Sequence, residues 1–111
     1  MRLRLRKLAT WRDRVLPGME IWLSEFGWDT DVYSPQRCQP YGIYSQEKVQ
    51  AMWITRAYLE GIAAGIDGMY LYEAANEPSN QGLFAASGVM SSEGTAFQKK
   101  EAYSAIVWLV S

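Results

Sequence analysis

Apolar positions recur at helical spacing along the first fifteen residues. The apolar side chains follow one another at steps of three and four, which predicts a helix with one apolar stripe: Met1, Leu5, Leu8, Trp11 and Val15. The alternation over residues 2–6 also fits a strand, but Arg, Leu and Lys are good helix formers and the stripe extends further than the alternation. The pair Pro17-Gly18 ends this helix.

Two short runs rich in apolar residues predict β-strands. The first, residues 20–26, lies between Pro17-Gly18 and Gly27, and the second covers residues 69–73. Side chains alternate along a strand, so Ile21, Leu23 and Glu25 are expected on one face of the first strand. In the second strand the same parity groups Tyr70 with Tyr72.

A long helix is predicted between the two strands. Ser45 is a suitable N-cap, and the helix ends near Ala64, before Gly65. Small residues at Ala57, Gly61 and Gly65 allow a close approach to a sheet. A strand, a helix and a second strand form a βαβ unit, which predicts parallel pairing with a right-handed crossover.

The loops leaving the strands are long, and the loops entering them are short. Residues 29–44 and 74–98 follow the two strands, and a last helix is predicted over residues 99–110. Both long loops are therefore expected at the carboxyl end of the sheet, where α/β folds place their sites. The first loop carries three tyrosines that suit either a loop facing a saccharide or one that anchors itself to the surface: Tyr33, Tyr41 and Tyr44.

Composition narrows the classes of function. The chain has 111 residues, a net charge of −1, a single cysteine and no histidine. The absence of histidine excludes Ser-His-Asp and Cys-His catalysis and most zinc sites. The basic residues near the start indicate a solvated helix face, so no nucleic-acid partner is expected. No apolar run reaches the length of a membrane span, and no membrane partner is expected.

Glu25 interrupts an apolar row at the end of the first strand. Spacing alone leaves two interpretations open, a solvated glutamate at a strand end and a functional carboxyl group. The segment Trp22-Leu23-Ser24-Glu25-Phe26-Gly27-Trp28 closely resembles the seventh-strand motif of the clan A, cellulase-like retaining glycoside hydrolases. In that family this glutamate is the catalytic nucleophile.

The resemblance implies a fold and a domain organisation. It implies an α/β chain that forms part of a TIM (β/α)8 barrel: the last two βα units, strands seven and eight, with the end of helix six. A complete barrel takes about 250 residues. Residues 1–111 are therefore expected to be a single C-terminal fragment of a glycoside hydrolase barrel.

A retaining mechanism also requires a second carboxyl group, about 5–5.5 Å from the nucleophile, as acid/base. The tripeptide Asn76-Glu77-Pro78 matches the family's acid/base motif in composition. It follows the nucleophile strand, however, whereas the family's motif precedes that strand. We interpret the match as coincidental and expect the acid/base to lie outside this chain.

Three further residues are candidates around the sugar. Trp28 either stacks on a sugar ring or closes the top of the barrel. Tyr72 matches the place where the family puts an aromatic residue under the reacting sugar. Glu73 either hydrogen-bonds the substrate or is solvated. No cofactor is expected, and Asp29-Thr30-Asp31 is too little to indicate a metal site.

The expected function is thus part of a retaining glycoside hydrolase that cleaves O-glycosidic bonds of a poly- or oligosaccharide. The fragment alone is expected to be inactive. The alternative is a non-catalytic carbohydrate-binding or assembly fragment. The expected partners are a carbohydrate substrate and either a second copy of the chain or the missing barrel strands. The resemblance implies a secreted or periplasmic full-length enzyme, although the basic start lacks the apolar segment of a signal peptide.

Overall fold

The computed structural model describes residues 1–79 and 82–111. In chain order it contains helix α1 (Arg2–Val15), strand β1 (Trp22–Phe26), helix α2 (Gln46–Ala64), strand β2 (Gly68–Leu71), a 3₁₀ turn (Glu93–Thr95) and helix α3 (Glu101–Val110). The three predicted helices and two predicted strands are confirmed, and each strand is shorter than expected. The described residues form two compact units.

The prediction of a partial (β/α)8 barrel is wrong. Across the described ranges, the sheet consists of β1 and β2 only, which pair in parallel with each other. Barrel closure requires about eight tilted strands, each paired on both sides. Two strands and three helices instead make a small α/β arrangement, and the expected parallel pairing is the part of the prediction that holds.

The first unit comprises Met1–Phe26 and Arg56–Leu71. Its core consists of Leu5, Ala64 and Ile66, and three half-buried side chains pack against this cluster: Ile21, Leu23 and Met69. Ile21 and Leu23 therefore pack in the same cluster as residues of α1 and α2. In a (β/α)8 barrel these side chains would face the barrel interior, whereas here they pack against residues of the two helices.

Helix α1 buries a narrower stripe than its pattern predicts. Leu5 and Ala9 are buried, whereas Leu8, Trp11 and Val15 are exposed. The same row of the helix also includes Arg12, which is half-buried and whose side chain is only 12% exposed. A salt bridge occupies the position where a continuous apolar stripe would place another apolar side chain.

Arg12 connects α1 to the amino end of the sheet. Its guanidinium group donates to Asp67 at 2.8 Å and to the Met19 carbonyl at 2.6 Å. Asp67 also accepts the Ile21 amide at 2.8 Å. The hydrogen bond from Ile21, followed by that from Arg12, lowers the pKa of Asp67. The Asp67 carboxyl group thereby links α1 to the residues that precede both strands.

Both ends of α2 follow their sequence signals. Ser45 Oγ accepts the Lys48 amide at 3.2 Å, as an N-cap does. At the other end Gly65 has φ +83°. Its amide bonds to the Ile62 carbonyl, and the Ile66 amide bonds to the Gly61 carbonyl, which is the Schellman arrangement. A side chain at Gly61 would overlap Met69, so the close approach predicted for this helix is confirmed.

The second unit comprises Gly27–Thr55 and Tyr72–Ser111 and contains both long loops. The loops are held by isolated bridges, among them Asp29 with Arg37 and Ala75 with Met90. The buried apolar side chains of this unit come from the loops and from two helices: Cys38, Val49, Ala51, Ile54, Ala85, Ala86, Val89 and Ala102. Much of the interior is polar, and its buried side chains form the hydrogen bonds described below. The Oε1 atoms of Gln50 and Glu73 are buried without a hydrogen-bond partner among the described residues.

Candidate functional site

Glu25 lies at an irregularity of the sheet. Leu23 pairs with Met69, and the next pair joins Phe26 to Leu71, so β1 has one more residue than β2 in this interval. An extra residue on one strand is a β-bulge, which redirects side chains. Ser24 and Glu25 are consequently both exposed. Glu25 is thus exposed, whereas Ile21 and Leu23, which simple alternation grouped with it, are half-buried.

An exposed aromatic pair lies on the sheet of the first unit. The rings of Trp22 and Tyr70 are 5.6 Å apart and tilted by 31°, and the two residues are 51% and 59% exposed. The Trp22 indole N–H donates to Glu20 at 2.8 Å. A side chain at Gly68 would overlap the indole ring. Glycine at this position therefore leaves room for the Trp22 ring.

Trp28 and Tyr72 both belong to the second unit, where each contacts another aromatic ring. Trp28 is half-buried and meets Trp53 edge to face at 5.5 Å. Tyr72 is half-buried and meets Phe84 edge to face at 5.8 Å. Glu25 belongs to the first unit. Sequence reasoning had found neither ring partner.

Glu73 follows Tyr72 directly, past the end of β2. The peptide bond between them is cis. The side chain is half-buried, and its Oε1 atom is buried without a hydrogen-bond partner among the described residues. Burial raises the pKa of the Glu73 carboxyl, and the charges of Glu77 and Asp29 act in the same direction. One of the two carboxyl oxygens is therefore shielded from solvent, while the side chain as a whole is half-buried.

The tripeptide Asn76-Glu77-Pro78 participates in loop structure. The Asn76 amide donates to the Met90 carbonyl at 3.0 Å, and the Glu77 amide donates to the Ala85 carbonyl at 2.8 Å. The Glu77 side chain is exposed. These backbone bonds account for the position of the segment without an acid/base role.

Asp29 is the centre of a buried polar cluster that sequence reasoning missed. It is fully buried, and its carboxyl group accepts hydrogen bonds from Ser34 Oγ, from Ser87 Oγ at 2.5 Å and from the Phe84 amide at 2.9 Å. Its own backbone carbonyl accepts the Cys38 amide at 2.8 Å. Asp29 thereby fastens both long loops to each other. Its partners are up to 58 residues away, so no local pattern indicates them.

Lys100 and Gln50 form a second polar cluster around the loop at Gly88. Lys100 Nζ donates to the Gly88 carbonyl at 2.7 Å and to Thr30 Oγ1 at 3.0 Å. Gln50 Nε2 donates to the Trp28 carbonyl at 2.9 Å and to that of Ser87 at 3.1 Å. Burial lowers the pKa of Lys100. The ammonium group of Lys100 thus bonds to several loop atoms and has a structural role.

Three further observations concern the described residues. Within residues 1–79 and 82–111, no three His, Cys, Asp or Glu side chains group closely enough to hold a metal ion. Cys38 is buried, and its burial raises the pKa of the thiol to about 12. A thiol held in that state is a poor nucleophile. Over the same ranges, no helix has the length and apolarity needed to cross a membrane.

Comparisons with protein-family models, with curated proteins and with solved structures found no match for this chain.

Proposed function

We propose that the chain carries the nucleophile of a retaining glycoside hydrolase, with Glu25 as the attacking group. The observation that supports this most directly is the position of Glu25 on a β-bulge near the carboxyl end of a parallel strand. Bulges are over-represented beside active sites, where they redirect a side chain. The surrounding segment, Trp22 to Trp28, resembles the nucleophile motif of the clan A enzymes.

The chemistry assigned to Glu25 is a displacement at the anomeric carbon. A carboxylate oxygen of Glu25 forms a bond to that carbon, and the bond to the leaving oxygen breaks with its electron pair. Water later cleaves the resulting glycosyl ester. Protonation of the leaving group is assigned to a second carboxyl group that this chain does not supply. Trp28 and Tyr72 are proposed as side chains that contact sugar.

Covalent trapping tests the role of Glu25 without an acid/base. An activated 2-deoxy-2-fluoro-β-glucoside with a dinitrophenolate leaving group needs no proton donor, and the fluorine slows hydrolysis of the ester. We expect intact-mass analysis to show one added fluoroglycosyl group, and peptide mapping to place it on Glu25. The corresponding mannoside and galactoside extend the test to other sugars.

Glu25→Gln is expected to abolish the adduct, whereas the matched control Glu20→Gln is expected to retain it. Glu20 is an exposed glutamate on the same segment, and glutamine can still accept the Trp22 N–H. Unactivated β-glucans should remain intact, because general-acid assistance worth about 10²–10⁴-fold is missing. No adduct with any of the three reagents, or an adduct that persists in Glu25→Gln, would refute the assignment.

A non-catalytic carbohydrate-binding role is the second candidate. The exposed pair Trp22 and Tyr70 favours it, because aromatic rings offer flat apolar faces to sugars. In that case oligosaccharides would quench the tryptophan fluorescence of wild-type chain and of Glu25→Gln equally. No covalent adduct would form. The trapping experiment and the titration together therefore separate the two functions.

A further inference from the structure

Helix α1 concentrates positive charge in a chain that is acidic overall. Residues 1–15 contain six basic side chains and one acidic side chain, a net charge of +5, whereas the whole chain has a net charge of −1. Residues 16–111 therefore carry a net charge of −6. The one acidic residue of the helix, Asp13, bonds to Arg12, and so does Asp67. An anionic surface is consequently attracted to α1 and repelled by the rest of the chain.

One exposed side of α1 combines positive charges with apolar side chains. Residues three and four positions apart are neighbours on a helix surface. Six exposed residues of α1 follow one another at these steps, and we name them the cationic–apolar face: Arg4, Lys7, Leu8, Trp11, Arg14 and Val15. The buried residues Leu5 and Ala9 lie on another side of the helix. The core of the first unit therefore leaves this face exposed.

The cations of this face have no acidic partner. In the part of the chain that the structure describes, no carboxyl group pairs with Arg4, Lys7 or Arg14. Glu60, which also lies beside α1, accepts the backbone amide of Arg2. The positive charge of the face is thus available to an anionic partner.

The apolar members of the face favour a lipid surface over a nucleic acid. Leu8, Trp11 and Val15 are 42%, 46% and 48% exposed. At a membrane interface such side chains enter the boundary between headgroups and acyl chains, while the long Lys and Arg side chains reach the headgroups. Nucleic-acid backbones are bound through the charges, and aliphatic side chains add little to that contact.

The geometry points to α1 as a helix that binds the surface of an anionic lipid bilayer through its cationic–apolar face. The expectation of no membrane partner rested on the length of apolar runs. A helix that lies on a bilayer does not require the length of a spanning one. Each Lys or Arg near an anionic surface strengthens binding about fivefold. This inference does not depend on the function proposed for Glu25.

Vesicle sedimentation with the full chain tests the inference. The probe is a vesicle of one part phosphatidylserine to two parts phosphatidylcholine, and vesicles of phosphatidylcholine alone are the reference. We expect the chain to sediment with the anionic vesicles and to bind the neutral ones at least about tenfold more weakly. Binding to the anionic vesicles should weaken as the salt concentration rises, because salt screens exposed charges.

Two double variants with the same net charge locate the binding face. Lys7→Gln with Arg14→Gln removes two cations of the cationic–apolar face and should weaken binding about 25-fold. Arg2→Gln with Arg6→Gln removes two exposed cations from the opposite side of α1 and should weaken binding less than about threefold. Glutamine has nearly the helix propensity of arginine and lysine, so the helix is expected to form in both variants.

Lipids with brominated acyl chains identify the side chain that enters the bilayer. They should quench tryptophan fluorescence in wild type, and the quenching should be lost in Trp11→Phe and retained in Trp108→Phe. Trp108 is the matched control, because it is 74% exposed on α3. No sedimentation with anionic vesicles, equal losses in the two double variants, or quenching that persists in Trp11→Phe would each overturn the inference. Duplex DNA that binds more tightly and displaces the chain from the vesicles would overturn it as well.

Discussion

Replacement of Asp29 by alanine should be the most damaging single change within the polar interior of the second unit. Asp29 is fully buried and accepts three hydrogen bonds, from two serine hydroxyls and from the Phe84 amide. The change removes all three acceptor contacts at once. The loops that contribute the donors lie far apart in sequence, so no neighbouring residue takes over the role.

The magnitude follows from the three donors. Hydrogen bonds to a charged group contribute about 1.5–3 kcal/mol each, and a buried amide left unpaired costs about 1–3 kcal/mol. The hydroxyls of Ser34 and Ser87 can rotate toward other acceptors, whereas the Phe84 amide cannot. The alanine variant also avoids the free-energy cost of burying a carboxyl group, which offsets part of the loss. We therefore expect Asp29→Ala to lower the free energy of unfolding by about 3–5 kcal/mol, a large share of a typical 5–15 kcal/mol.

The matched variant Asp29→Asn separates charge from geometry. One carboxyl oxygen accepts both Ser34 Oγ and the Phe84 amide, and the other accepts Ser87 Oγ. An asparagine can keep its oxygen at the first position and donate to Ser87 from the second. Only the additional strength that the negative charge gives to these hydrogen bonds is lost, so Asp29→Asn should lower the free energy of unfolding by about 1–2 kcal/mol.

Urea unfolding, followed by tryptophan fluorescence and far-UV circular dichroism, measures these differences. Glu93→Ala serves as a surface control, because Glu93 is exposed on the 3₁₀ turn, and should change stability by less than about 0.5 kcal/mol. If Asp29→Ala lies within 1 kcal/mol of wild type, or costs no more than Asp29→Asn, the cluster does not hold the loops and the reasoning is wrong.

Three other predictions concern the two units separately. Because the pKa of Glu73 is raised in the folded chain, its protonated form stabilises the fold below the normal glutamate pKa, and this contribution is lost as pH rises through the raised value. In Glu73→Gln the free energy of unfolding should therefore fall less steeply above about pH 4.3 than in wild type. Parallel pH profiles of the two proteins in urea unfolding would contradict this. Gly88→Ala should lower the free energy of unfolding by about 3 kcal/mol or more, because the new methyl group meets backbone atoms. Gly61→Ala meets only the flexible side chain of Met69 and should change it by no more than about 1 kcal/mol. Equal costs of the two variants in thermal unfolding would contradict this explanation. The exposed Trp22 and Tyr70 and the two sheet edges that no strand of residues 1–79 and 82–111 pairs with favour association of two copies at micromolar concentration. Analytical ultracentrifugation should show a dimer that the double variant Trp22→Ser with Tyr70→Ser weakens, and a monomer at all concentrations would disprove the idea.

The sequence by itself determined the order, type and approximate limits of the helices and strands. Pro17-Gly18, Ser45 and Gly65 mark boundaries through local backbone chemistry, and the apolar periods of three to four or of two residues identify each element. The parallel pairing of the strands also followed, since a helix of this length separates them. These features depend on residues close together in the chain, where caps, turns and periodicity act.

Tertiary structure alone decided where the chemical groups lie. The bulge at Glu25 arises from the pairing of β1 with β2, and simple strand alternation, which grouped Glu25 with Ile21 and Leu23, did not indicate it. The burial of Asp29 and Lys100 and the unpaired oxygen of Glu73 depend on loops that meet across tens of residues. The physical reason is that hydrogen bonds and desolvation depend on which atoms meet in space, and a local pattern specifies only neighbours along the chain.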